Sequence, residues 1–230
     1  EVEVKSSIVR ARDVLVFVIL LDMGLRVSEL CEAKNKDVMS GVLTVTRKGG
    51  RVQDIGIPSE ALQVLAAYRE AVAGAFDPVI AGKMLLPDAP LVAAVGRRGF
   101  SAAAVADLGP AAPLTRWGVE EMFRRYASMA VRSQDPIVQE ILAKYWVGLP
   151  PGVASRDAVE RALSKRLHPH GLRHLHAARS EQAGIPIRDV AAGLGHASTS
   201  TTERVYLPQV DTATPRQGLA GAILSSAPRS

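Results

Sequence analysis

Between residues 6 and 22 the apolar positions Val9, Val14, Phe17, Val18 and Leu21 recur at helical spacing. The chain is therefore expected to open on a helix capped by Ser6 or Ser7 and running to about Leu21, with Gly24 stopping it. Arg26 to Ala33 reads as a short second helix with Ser28 as its cap. From Gly41 the period shortens to two. Val42 to Thr46 is rich in β-branched residues, and Arg51 to Pro58 alternates apolar and polar. Gly49 and Gly50 lie between these runs, which makes the segment a β-hairpin with Arg47 and Lys48 at its turn. Ser59 opens a helix to about Ala73, with Leu62, Leu65 and Ala66 facing inward.

Residues 74–113 are rich in Gly, Ala and Pro without a strong period, and read as loops with short strand or helix pieces. Thr115 caps a helix from Trp117 to about Ala130, whose Val119, Met122, Phe123 and Tyr126 share one face. Further helices are expected from Asp135 to Trp146 and from Ser155 to Lys165, separated by the break Leu149-Pro-Pro-Gly. Pro169 and His170 begin another, which runs to Ala183 and ends at Gly184. Ile187 to Leu194 forms a short one ended by Gly195. The tail, 211–230, carries one weakly amphipathic piece at Leu219 to Leu224. This pattern is mainly α with a small antiparallel β-sheet, an α+β class.

Composition supports a folded, helix-rich domain. Hydrophobic residues make up 47 % of the 230, enough for a substantial core, yet aromatics are only 4 %, so the core is built from Ala, Leu, Val and Ile. The formal net charge of +5 suits a polyanionic partner. Cys31 is the single cysteine, so no internal disulfide forms and a reducing, cytoplasmic setting is expected. The longest apolar run, Val14 to Leu21, falls far short of the roughly 20 residues a membrane helix needs. It also lacks the small-residue cleavage site of a signal peptide. A first residue of Glu1 rather than Met is what a piece of a longer protein would have.

The chemistry gathers between His168 and Tyr206. All five histidines lie there, with Arg173, Arg179, Arg188, Arg204 and finally Tyr206, one of four tyrosines. Histidines, arginines and a tyrosine in a basic chain point to work on a phosphodiester. Such a transfer needs an oxygen nucleophile, cations over the phosphorane-like transition state, and an acid for the leaving alkoxide. The histidines also admit a zinc reading, since His170 and His174 stand four apart and His176 is near. No His-Glu-x-x-His pattern or neighbouring cysteine accompanies them, so neither metal nor cofactor is expected. Arg97 and Arg98, in Gly-Arg-Arg-Gly, read as solvated loop charges ahead of phosphate contacts.

Several stretches, in order, resemble one family. Met23-Gly-Leu-Arg26-Val-Ser-Glu29-Leu resembles the first conserved box of the tyrosine recombinases, the phage integrase family. Arg47-Lys48-Gly-Gly-Arg51 resembles its lysine turn. Pro113-Leu-Thr-Arg-Trp-Gly-Val resembles the start of its mid-domain helix. His170-Gly-Leu-Arg173-His174, then Leu194-Gly-His196, then Thr201-Thr-Glu-Arg-Val-Tyr206, resemble its second box and nucleophile segment. The resemblance covers about residues 10–210 and implies the tyrosine recombinase catalytic-domain fold over the whole chain as one domain. The core would span about 8–210. On this resemblance, this stretch of sequence would lack the family's amino-terminal DNA-clamping domain.

The resemblance implies a site-specific recombinase that cuts and rejoins DNA through a 3′-phosphotyrosyl intermediate, for integration or excision of a mobile element. Tyr206 would be the nucleophile. Arg26 and Arg173 would clamp the non-bridging oxygens, and Glu29 would orient Arg26 or simply pair with it. Lys48 would protonate the leaving 5′-oxygen. His170 would assist proton removal from the tyrosine or orient the phosphate, and His196 would donate to a non-bridging oxygen. His168, His174 and His176 would pack or lie beside the phosphate. Double-stranded DNA is the implied partner, bound by a homo-oligomer, a tetramer on DNA, at the nucleoid. The tail at 219–224 would pass to a neighbouring protomer or pack on its own domain.

Two features depart from the family pattern. Tyr206 follows His196 by ten residues, one more than the pattern, with Val205 at the expected place. A one-residue bulge or a shifted helix would bring Tyr206 into line. Ser133 to Asp157 reads as an inserted helix and turn. Two other readings stay open: a DNA-binding protein that keeps the fold without catalysis, and a type IB topoisomerase.

Overall fold

The computed structural model describes residues 2–75, 78–94, 112–134, 163 and 167–195. The expected helices over 135–146 and, apart from residue 163, 155–165, the insertion at 133–157 beyond Gln134, Arg97 and Arg98, and everything from His196 onward lie outside the described residues. What is described is mainly helical with one small sheet. In chain order it comprises α1 (Val2–Asp22), α2 (Val27–Glu32), a single 3-10 turn (Asn35–Asp37), β1 (Val38–Met39), β2 (Val42–Thr46), β3 (Val52–Gly56), α3 (Ser59–Ala75), α4 (Pro78–Met84), α5 (Arg116–Arg132), α6 (Pro169–Gln182) and α7 (Ile187–Gly193). None of the described helices is long and apolar enough to cross a membrane.

Helix α1 is the central post, and α2, α3 and α6 all pack on it. Its buried positions are Ile8, Leu15, Val16, Ile19 and Leu20, whereas Val14 is exposed. The face chosen from the sequence was therefore rotated. This helix is apolar over most of its circumference, so periodicity alone does not select the inward side. Arg12 and Asp13 are also buried, because Asp13 binds Arg12 and also pairs with Arg125 and the Tyr126 hydroxyl on α5. Phe17 stacks near Phe123, with ring centroids 4.6 Å apart, and closes the α1–α5 contact. Each fully buried Leu or Phe of this core contributes about 1.5–3 kcal/mol relative to exposure.

The three strands run β1-β2-β3, antiparallel throughout. The hairpin is as expected, with Thr46 opposite Val52 and Gly56 opposite Val42. Strand β1 was not foreseen, since two residues carry no period. It joins β2 through Ser40 and Gly41, both at positive φ, which is the backbone of a tight hairpin turn. Alternation along β2 puts Leu43 and Val45 on the core. On α3 the inward residues are Ala61, Leu65, Tyr68 and Val72; Ala66 is exposed and Leu62 half-buried, so only Leu65 of the three expected was fully placed.

In residues 78–94 the expected short pieces are α4 and the buried run Leu91-Val92-Ala93. Thr115 caps α5 as expected, its hydroxyl oxygen accepting from Gly118 N at 3.0 Å. Helix α6 starts at Pro169 with His168 as its cap, the ring Nδ1 accepting from Gly171 N at 3.2 Å. It ends before Gly184 at φ +81, and α7 ends before Gly195 at φ +64.

Candidate active site

Gly24 ends α1 at φ +59 and turns the chain into α2. The residue capping α2 is Arg26, not Ser28. Its backbone N–H donates to Glu29 Oε2 and its guanidinium Nη1 to Glu29 Oε1, both at 2.8 Å. A carboxylate three residues into a helix can reach back in this way. The result fixes the direction of Arg26, whose side chain remains about a third exposed.

Arg173 comes from the middle of α6 and is only 2 % exposed. Its guanidinium donates to two backbone carbonyls, Gly24 O and Leu194 O. Those bonds fix the plane of the group between the end of α1 and the end of α7. His170, one turn earlier on α6, is exposed. The ring is still partly desolvated, which lowers its pKa first, followed by the charges of His168, Arg173 and Arg26. The fold thus brings Arg26, His170 and Arg173 into one electrostatic neighbourhood, although Arg26 is far from the other two in sequence. Below its lowered pKa the ring would add a cation to a cluster of cations; above it the ring is neutral and able to accept a proton.

Of the other histidines, which were expected to pack or to lie beside the phosphate, His168 caps α6. His174 sets its ring edge-on to His170, with centroids 4.3 Å apart. Burial lowers its pKa, and the neighbouring histidines add to this. His176 lies against Gly24, its Nδ1 at 3.0 Å from Leu21 O.

Lys48 is exposed in the hairpin turn, with no side-chain contact to the cluster among the described residues. His196 and Tyr206 lie outside them.

The sequence reading assigned Arg47 only to a turn. It is in fact 3 % exposed and makes three side-chain bonds. Nη1 donates to Glu29 Oε2 at 2.6 Å, Nε to Gln53 Oε1 at 3.1 Å, and Nη2 to Gly193 O at 2.6 Å. Gln53 Nε2 in turn donates to Ala192 O at 3.1 Å. Three successive carbonyls at the end of α7 are therefore held by Gln53, Arg47 and Arg173. A helix C-terminus is its negative end and leaves carbonyls without helical partners, so cationic donors suit it. One signal was available. The alternation that buries Leu43 and Val45 continues to Arg47, and Gln53 pairs with Val45 in the ladder.

Gly195 shows why the turn after α7 is glycine. A Cβ there would lie 2.8 Å from Arg47 Nε, and the backbone is left-handed.

With this geometry in place, the likeness to known proteins is informative. Residues 153–212 match the phage integrase family. Tyrosine recombinase XerA of Pyrococcus furiosus is 28 % identical over 197 residues, covering 84 % of this chain and 49 % of that protein. A tyrosine recombinase of Pseudothermotoga lettingae is 51 % identical over 49 residues, covering 21 % of this chain and 17 % of that protein. The chain thus spans about half the length of the Pyrococcus furiosus relative. Among solved structures, XerA recombinase superposes with a TM-score of 0.52 at 20 % identity, covering 100 % of this chain and 65 % of that one. XerH site-specific recombinase bound to its difH substrate superposes at 0.51 and 20 % identity, covering 87 % of this chain and 44 % of that one. Motif order, the family match over residues 153–212 and the fold agree: the chain is similar to the tyrosine recombinases of the phage integrase family.

Proposed function

We propose that this chain is the catalytic domain of a site-specific DNA recombinase or integrase that cuts and rejoins strands through a 3′-phosphotyrosyl intermediate. The observation that carries the reading is the convergence of Arg26, His170 and Arg173 from two distant parts of the chain. Two fixed guanidiniums beside a neutral imidazole suit a phosphodiester whose charge grows in the transition state.

In the proposed step the Tyr206 phenol oxygen forms a bond to phosphorus as the bond from phosphorus to the 5′-oxygen breaks. His170 accepts the phenol proton and Lys48 supplies one to the departing 5′-oxygen. Arg26, Arg173 and His196 hold the non-bridging oxygens. The phosphotyrosyl bond conserves the energy of the broken one, so the reverse step rejoins DNA without a nucleotide cofactor. On this reading the partner is double-stranded DNA, engaged by a homo-oligomer, a tetramer on DNA, at the nucleoid. The process served is integration or excision of a mobile element.

The test starts from duplexes selected by the full-length protein from a random pool, rebuilt with nicks that trap a cleaved strand. A covalent protein–DNA adduct that Tyr206→Phe abolishes is expected. Binding without an adduct on any selected duplex would instead favour a DNA-binding protein that keeps the fold, the reading that the extra residue before Tyr206 leaves open.

A further inference from the structure

Arg26, Glu29, Arg47, the end of α7, Arg173 and Gly24 form a closed circuit. Arg26 binds Glu29, Glu29 binds Arg47, and Arg47 holds Gly193 O. The next carbonyl, Leu194 O, is held by Arg173, which also holds Gly24 O. Gly24 lies two residues before Arg26, which closes the ring. The side-chain links are hydrogen bonds, the remaining two are short backbone steps, and three of the side chains, Glu29, Arg47 and Arg173, are at most 4 % exposed.

We infer that Arg47 is a positioning residue that sets the two phosphate-clamping arginines, Arg26 and Arg173, relative to one another. This rests on the proposed function above. Arg47 is placed to act on Arg26 through the shared Glu29 carboxylate, and on Arg173 through adjoining carbonyls of one helix end. It also directly follows β2 and precedes Lys48, so the same side chain anchors the lysine turn to the ring. Its guanidinium serves three acceptors in different directions, which a lysine ammonium on a flexible stem cannot reproduce. Burial opposes the Arg47 charge, and the Glu29 carboxylate is the first group that offsets this. Arg47 itself is spent on protein acceptors and is not proposed to touch DNA.

The experiment is a double-mutant cycle on single-turnover formation of the Tyr206 adduct, with DNA affinity and melting temperature measured in parallel. Arg47→Lys is expected to slow adduct formation about tenfold or more in the unmodified protein, and less than about threefold in an Arg26→Ala background. DNA affinity should change far less than the rate. Equal slowing in both backgrounds would mean that Arg47 acts only through stability and would overturn the inference. If the unmodified protein forms no Tyr206-dependent adduct, the functional reading fails, while the ring is still open to measurement. Amide exchange at 193–195 in DNA-free protein should then be faster in Arg47→Lys relative to amides of α3. Unchanged exchange there would overturn the inference by itself.

Discussion

Gly24 and His176 approach so closely that no side chain fits between them. A Cβ at position 24 would lie 2.6 Å from His176 Cδ2 and 2.8 Å from Leu194 Cδ2. The Gly24 backbone is left-handed as well, at φ +59, and its carbonyl receives Arg173. One residue therefore ends α1, seats α6 and aims a clamp arginine. Gly24→Ala is expected to cost at least about 2 kcal/mol of stability, from backbone strain and the clash together. Urea denaturation checks this. A loss below about 0.5 kcal/mol, typical of an ordinary surface change, would show that the contact is not tight.

Glu29 carries two arginines on one carboxylate. Glu29→Gln keeps the shape but leaves the buried Arg47 without its counter-charge, at a cost of about 3 kcal/mol. Glu32 is exposed on the same helix and serves as the control. Glu32→Gln should change stability by no more than about 0.5 kcal/mol. Similar effects from both substitutions would contradict the role given to Glu29.

The histidines give stability a defined pH dependence. His170, His174 and His176 all have pKa values lowered from 6.5, with burial as the largest cause in each. Below 6.5 the unfolded chain takes up protons that the folded chain resists, so stability rises with pH in that window. It should be fully present above about pH 6.5 and fall as pH drops towards the lowered folded values. Urea midpoints between about pH 8 and pH 5 test this. A midpoint that stays level or rises on acidification would contradict it. Cleavage should share an acid limb below 6.5, because protonated His170 cannot accept the phenol proton, and His170→Ala should remove that limb.

Much of the fold was legible because its signals are local. The hairpin announced itself by a change of period and two glycines, α5 by Thr115, and α6 by Pro169 and Gly184. The inward face of α1 was not legible, since a helix apolar on most sides leaves the choice to its neighbours, and buried Arg12 and Asp13 look like surface charges until Arg125 is placed beside them. In the site, Arg26, Glu29, His170 and Arg173 were singled out by the motifs that resemble the family's, and their nearness in space is a product of tertiary packing. Arg47 was not, although strand alternation pointed it inward. Its partners Glu29 and Gly193 are set by tertiary packing, which no local pattern encodes.

In the proposed reaction Tyr206 attacks the phosphodiester and becomes the 3′-phosphotyrosyl carrier. Mapping the DNA-linked peptide after trapping on a nicked duplex measures this most directly. A nucleotide attached through its 3′-phosphate to Tyr206 is expected, with a free 5′-hydroxyl on the released strand. Attachment at another residue, or through a 5′-phosphate, would contradict it.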